Sequence, residues 1–233
     1  MEIKDYLTLG LSSTALIISI VSNFFQKNRE TNRTIRKDLS ETLEGIIKIN
    51  FESEKLKMAN DDFNSEGVIE LRRINNSQRR ILIANADFLA TRYPSILTDI
   101  DCNILAGAFS TIGDFIKADH YWKLTIVNSN SNSMRHMNLR GYARFLYFQG
   151  KMELGRTKYK EALEIDLQDT DDNRRITTDT YIMWASVERD FNNMPEANRL
   201  LDTAKSYCSR IGHRGMRENV EKQIKIAFPN AST

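Results

Sequence analysis

From Tyr6 to Phe25 the chain runs for twenty residues without a formal charge, carrying Leu7, Leu9, Leu11, Leu16, Ile17, Ile18, Ile20, Val21, Phe24 and Phe25. A helix needs about that many residues to cross a bilayer. Thr8, Ser12, Ser13, Thr14, Ser19, Ser22 and Asn23 dilute the run, but hydroxyls bond back to helix carbonyls and keep the insertion cost moderate. Beyond it the pattern turns amphipathic. Between Thr31 and Asn60, Ile35, Leu39, Leu43, Ile46 and Ile47 recur three or four apart in a charged background, which predicts a helix with one apolar face. Capping and turn residues from Ala59 to Ser65 predict a break. A second amphipathic helix is expected from about Glu66 to Arg92, with Ile74, Ile81, Leu82, Asn85, Phe88 and Leu89 on or near one face. Tyr93-Pro94-Ser95 ends it, because the residue before a proline is pushed out of the helical region.

The apolar run is expected to be a membrane anchor over residues 1–26. A cleaved signal peptide would end in small residues around a cut site, whereas this run ends in Ser22-Asn23-Phe24-Phe25-Gln26. A buried helix of a soluble domain is the other alternative, since Ser12, Ser19 and Ser22 partly align on one side. Lys27, Arg29, Arg33, Arg36 and Lys37 come after the run against Glu30 alone, and Glu2, Lys4 and Asp5 precede it. The positive flank predicts a single-pass topology with the N-terminus outside and the remaining chain in the cytoplasm. Residues 27–64 then form a helical stalk or linker, whose stripe serves either self-association or packing on the adjoining domain. Two widely separated cysteines, Cys102 and Cys208, fit a reducing compartment.

From residue 99 onward three segments align. Cys102-Asn-Ile-Leu105-Ala106 leads to Gly113, Ala118 and Trp122; Leu139-Arg-Gly-Tyr142-Ala143 leads to Gly150, Gly155 and Tyr159; Tyr181-Ile-Met-Trp184-Ala185 leads to Asn192, Ala197 and Leu201. The turn residues stand 37 and 42 apart, with the extra length in the loops at 128–133 and 166–173. Ala106, Ala143 and Ala185 let a first helix approach a second closely, and Ala118, Gly155 and Ala197 do the same from the other side. The large residues Trp122, Tyr159 and Leu201 fill the space between hairpins. Residues 214–228, with Met216, Val220, Ile224 and Ile226, supply a capping helix after Gly212 and Gly215.

This arrangement resembles the tetratricopeptide repeat family, most clearly in the middle copy with its Tyr-Ala pair, glycine turn and Lys-Tyr-Lys-Glu-Ala-Leu-Glu-Ile. The intervals exceed that family's period of about 34 residues. Asn192 replaces the turn glycine, Glu188 stands in a usually aromatic place, and Thr125 stands where alanine is usual. The resemblance implies an all-α fold: an α-solenoid of about three hairpins, at about 99–133, 136–170 and 178–211, within a domain spanning 65–233. It further implies a concave groove lined by the first helices and holding a peptide or the tail of a partner protein. Carried over residue by residue, that inner face takes Asn103, Gly107 and Ser110, then Arg140, Arg144 and Tyr147, then Ile182, Ser186 and Arg189. Arg140 and Arg144 are four apart and share a helical face, so they are suited to gripping carboxylates of an acidic peptide, or else to pairing within the chain.

Composition removes other classes. Lys and Arg total 33 against 31 Asp and Glu, for a net charge of +2, which argues against a dedicated nucleic-acid binder. Arg72, Arg73, Arg79 and Arg80 lack interleaved aromatics and read as a solvated face. His120, His136 and His213 are dispersed, and no metal-binding spacing, phosphate loop or nucleophile elbow is present, so neither catalysis nor a cofactor is expected. The reading is therefore a membrane-anchored adaptor. Two rivals are a membrane-perturbing effector, suggested by the hydroxyl-rich run with Gly10 and Thr14 four apart, and a soluble assembly subunit.

Overall fold

The computed structural model describes the backbone of residues 3–59 and 65–229, and the side chains of 29–56, 58 and 65–229. The expected anchor, Tyr6–Phe25, has its side chains outside the described residues. Among the described residues no helix is long and apolar enough to cross a membrane. Also among the described residues the fold is all-α, with nine α-helices and no strand. They are α1 Ile3–Ala59, α2 Glu66–Arg92, α3 Asp99–Ile112, α4 Phe115–Val127, α5 Asn132–Phe148, α6 Met152–Leu163, α7 Asp171–Asp190, α8 Met194–Ser209 and α9 Arg214–Ala227, with a short 3₁₀ turn at Pro94–Ile96. The chain divides into two compact units between Leu97 and Thr98. Helix α2 lies with α1 in the first of these units.

In the first unit α1 and α2 run antiparallel, bringing Gly45 onto Leu82 and Asn50 onto Arg79. Ile35, Leu39, Leu43, Ile46 and Ile49 are buried on α1; Ile49 takes the place expected for Ile47, which faces outward. The correction on α2 is larger. Its buried face is Val68, Arg79, Ile83, Ala86 and Ala90, while Ile74, Ile81 and Phe88 are exposed. Small Ala86 and Ala90 permit close approach to α1, and the bulkier set falls on the other side of the helix. Arg79 is likewise no solvated residue. Its guanidinium donates to Asn50 Oδ1 at 2.9 Å, Asn76 Oδ1 at 2.7 Å and Ser53 Oγ at 3.0 Å, partners that a buried charge requires.

The second unit opens on a capping box, in which Thr98 Oγ1 accepts from Asp101 N while Thr98 N donates to Asp101 Oδ2. Three helical hairpins come next, α3–α4, α5–α6 and α7–α8, and α9 then packs on α7 and α8. Each hairpin turns by the same device. Gly113, Gly150 and Asn192 take φ of 84°, 69° and 60°, and the next amide reaches back to Phe109 O, Leu146 O and Glu188 O at 3.0, 3.0 and 2.8 Å. This is the Schellman closure, whose pivot residue must be left-handed. Glycine adopts that state freely and asparagine tolerates it, so the substitution at Asn192 keeps the turn.

The six small residues at the helix crossings are all buried. The approach is closest at Gly155, where a Cβ would stand 2.4 Å from Tyr147 Cδ2 and 3.0 Å from Ala143 O. Trp122, Tyr159 and Leu201 are buried as expected. Val220 and Ile224 of α9, with Phe228 just after it, close the apolar cluster formed by Trp184, Leu200, Leu201, Cys208 and Ile211. The turn chemistry predicts that Asn192→Ala lowers stability by about 1 kcal/mol through left-handed strain, while Asn192→Gly is neutral within about 0.5 kcal/mol. Urea unfolding midpoints of the two variants check this, and equal losses would show that the side chain, not the backbone, matters there.

Candidate partner-binding groove

Helices α3, α5 and α7 lie at the front of their hairpins and contribute to two adjoining hollows. The first, about 430 Å³, has Gly107 and Ser110 on α3, Gly141, Phe145 and Phe148 on α5, and the Trp122 ring beneath. Its depth depends on missing side chains: Gly107 has open space above it, and a Cβ at Gly141 would stand 2.7 Å from Trp122 Cη2. The second, about 340 Å³, is bounded by Arg140 and Asp179, with Ile182, Ser186 and Asp190 on α7 and Gln223 on α9. Arg144 and Met183 line both hollows. An apolar recess thus adjoins a charged one.

The two arginines differ in setting. Arg144 is exposed and lies over the Phe148 ring, 5.4 Å from its centroid, a favourable cation–π placement. Arg140 is largely withdrawn from water, and burial lowers its pKa from the ordinary value, although a guanidinium stays charged at any physiological pH. Its protein hydrogen bonds are long, from Nη1 to Ile176 O at 3.4 Å and Thr180 Oγ1 at 3.5 Å. Asp179 faces it electrostatically but is bonded by Arg175 at 3.1 Å. Burial raises the Asp179 pKa, with Arg140 and Arg175 opposing that rise.

Of the expected site residues the structure brings Ser110, Arg140, Arg144, Ile182 and Ser186, with Gly107, to these hollows. Both serine hydroxyls donate to their own helices, at Ala106 O and Ile182 O, each at 2.9 Å. Asn103 is half-buried on α3 and lines neither hollow. Tyr147 is a correction: it is 0% exposed, because its ring lies over Gly155 in the helix crossing. Arg189 is another, because it donates to Ala227 O and lies over the Phe228 ring, where α9 engages it. Sequence reasoning missed Phe145, Phe148, Met183 and Gln223. The first three follow from the helical period once the orientation of α5 and α7 is known, whereas nothing local signals Gln223.

The remaining chemistry-bearing residues sit in packing positions. His136 is buried with Nε2 at 2.8 Å from Thr180 Oγ1, and burial, reinforced by Arg140, pushes its pKa down to about 4. Burial pushes the Cys102 thiol up to about 11. Among the described residues no three His, Cys, Asp or Glu side chains gather where they could hold a metal ion. No family model matches the chain, and neither does any curated protein or solved structure.

Behind the groove lies the most polar feature of the interior. Glu188, the acidic residue in a usually aromatic place, is 0% exposed. Its carboxylate accepts from Tyr147 Oη at 2.5 Å, from Arg156 Nε and Nη2 at 2.7 Å each, from Trp184 Nε1 at 3.0 Å and from Asn193 Nδ2 at 2.8 Å. Burial alone would raise its pKa, but these donors together hold it at about 2. The folded value lies below the unfolded one, so the cluster's stabilisation is complete above the ordinary carboxylate range and is lost as pH falls toward 2. Glu188→Gln is expected to cost on the order of 3 kcal/mol at pH 7, because it removes the buried carboxylate that two Arg156 nitrogens bond and leaves that guanidinium only the exposed Glu153 as a charge partner. The gap to wild type should narrow as pH falls from about 4.5 to about 2. Denaturant titrations across that range check it, and a pH-independent gap would contradict the assignment.

Proposed function

We propose that the unit from Thr98 to Phe228 is a tetratricopeptide-like solenoid acting as a protein-interaction module. In this reading the groove along α3, α5 and α7 holds an acidic segment of a partner protein. The observation that carries it is Arg140: a part-buried guanidinium whose hydrogen bonds among the described residues are two long ones, beside the exposed Arg144 and next to an apolar recess. Buried charges normally have strong partners. A carboxylate from outside would supply one, gripped by both arginines, while a large apolar neighbour enters the hollow between Phe145, Phe148 and Met183. The three repeated turns and the buried small residues at each crossing support the solenoid assignment, as does α9 covering the last hairpin.

The same reading makes the chain a single-pass membrane-anchored adaptor with the N-terminus outside, the repeat unit in the cytoplasm and no chemistry of its own. The support is the uncharged run Tyr6–Phe25 and the basic flank after it.

Two experiments test these parts separately. Selection from a random peptide display library on the purified chain should enrich sequences pairing Asp or Glu with a large apolar residue. Arg140→Glu combined with Arg144→Glu should weaken the enriched peptides about tenfold or more in fluorescence anisotropy, with helical circular dichroism unchanged. Enrichment of sequences without acidic residues, or equal affinity for the double variant, would defeat the groove assignment. For the anchor, the full chain should require detergent for extraction from membranes, whereas a chain lacking residues 1–26 should partition into the aqueous fraction. Aqueous extraction of the full chain would remove the membrane part and leave the groove reading standing.

A further inference from the structure

We infer that the outer face of α2 is a self-association seam whose occupant is α2 of a second copy of this chain, parallel and in register. The seam is independent of the groove. Ile74, Ile81 and Phe88 recur at a strict interval of seven and are 43%, 62% and 63% exposed, with Leu71 beside them at 49%. They lie on the side of α2 away from Val68, Ile83, Ala86 and Ala90, the face packed on α1. On a straight helix a seven-residue repeat drifts about 20° per heptad, so it matches a partner helix that supercoils with it. A residue set chosen only to pack against α1 would not hold that interval on the opposite side.

The flanking charges select the partner and its direction. With Ile74, Ile81 and Phe88 at the first core position of each heptad, a parallel second copy sets Arg73 against Gln78, Arg80 against Asn85 and Asp87 against Arg92. One pair is of opposite charge and none is of like charge. The second core positions are Ser77, Ala84 and Thr91, small residues that let the helices approach. Reversing one copy about Ile81 would set Arg73 against Asp87 at each end but oppose Arg80 to Arg80 at the centre, a like-charge contact that the parallel pair lacks. A lipid surface is the poorer occupant, because Glu70 and Asp87 border the stripe and a membrane-lying helix carries basic residues there.

Disulfide trapping in the full chain, in membranes or mild detergent, tests the seam. The native Cys102 and Cys208 are buried and contribute little background. Ile74→Cys and Ile81→Cys should each give covalent dimers on mild copper-phenanthroline oxidation, about tenfold more than Ile69→Cys, which is exposed on another face of α2. Adding Phe88→Glu to Ile74→Cys should lower the dimer yield about fivefold without loss of helical content. Trapping at Ile81→Cys alone would mean an antiparallel pair and overturn the proposal. Equal trapping at all three positions, or none at any, would overturn it as well. So would protection of Ile81→Cys from a water-soluble maleimide only when anionic phospholipid vesicles are added, since the occupant would then be lipid.

Discussion

A carboxylate with no contact to water survives only where several donors converge on it, and Glu188 meets that demand by drawing on every element around it. Tyr147 comes from α5, Arg156 from α6, Trp184 from α7 and Asn193 from the turn into α8. Satisfying one charge therefore fixes the second hairpin against the third. The Asn192 turn is held from the same residue, since Glu188 O accepts the Asn193 amide that closes it. Side chain and backbone of Glu188 thus set both the packing between hairpins and the direction in which α8 departs. A hydrophobic residue in its place would pack without specifying the neighbour. The carboxylate admits few alternatives, because any other arrangement leaves a buried charge unpaired.

The groove is a consequence of that packing. First helices that pack on their second helices through Ala106, Ala143 and Ala185 turn other residues away from the crossing, and among these Gly107, Ser110, Arg144 and Ile182 border the two hollows. Gly107 and Gly141 deepen the first hollow by presenting no side chain, and the Trp122 ring under Gly141 makes its floor apolar. Close packing within the unit and open volume in front of it have the same origin in the placement of small residues.

Much of this fold is legible in local pattern. The turns at Gly113, Gly150 and Asn192, the small residues at the crossings and the shared face of Ser110, Arg140, Arg144, Ile182 and Ser186 all derive from helical period and backbone permissiveness. Features of two kinds escape that pattern. Period tells which residues share a face but not which face meets the neighbour, so Tyr147 is expected outward and stands inward in the fold, and the face of α2 marked by Ile74, Ile81 and Phe88 is exposed while Ile83, Ala86 and Ala90 are buried. Pairings between polar groups distant in sequence are the other kind. Arg156 with Glu188, Arg79 with Asn50 and Arg189 with Ala227 O leave no local trace, because each depends on two helices already being in place.

Arg140 and Arg156 show how a long-range pairing separates a satisfied charge from an unsatisfied one. Both are arginines of the middle hairpin, and both reach toward α7. Arg156 finds Glu188 and makes two hydrogen bonds of 2.7 Å with its carboxylate, so its charge is satisfied inside the fold. Among the described residues Arg140 finds no carboxylate within ion-pair distance; Asp179, the nearest acidic influence on it, bonds Arg175 instead. Both sites bear a desolvation cost, but only the first recovers it within the chain. A fold selected for stability alone would sooner place an apolar residue where Arg140 stands, since a part-buried charge without a close partner adds desolvation cost. Its presence at the edge of an open hollow, with Arg144 one helical turn away, is the ground on which we propose a negatively charged guest that completes its hydrogen bonds on binding.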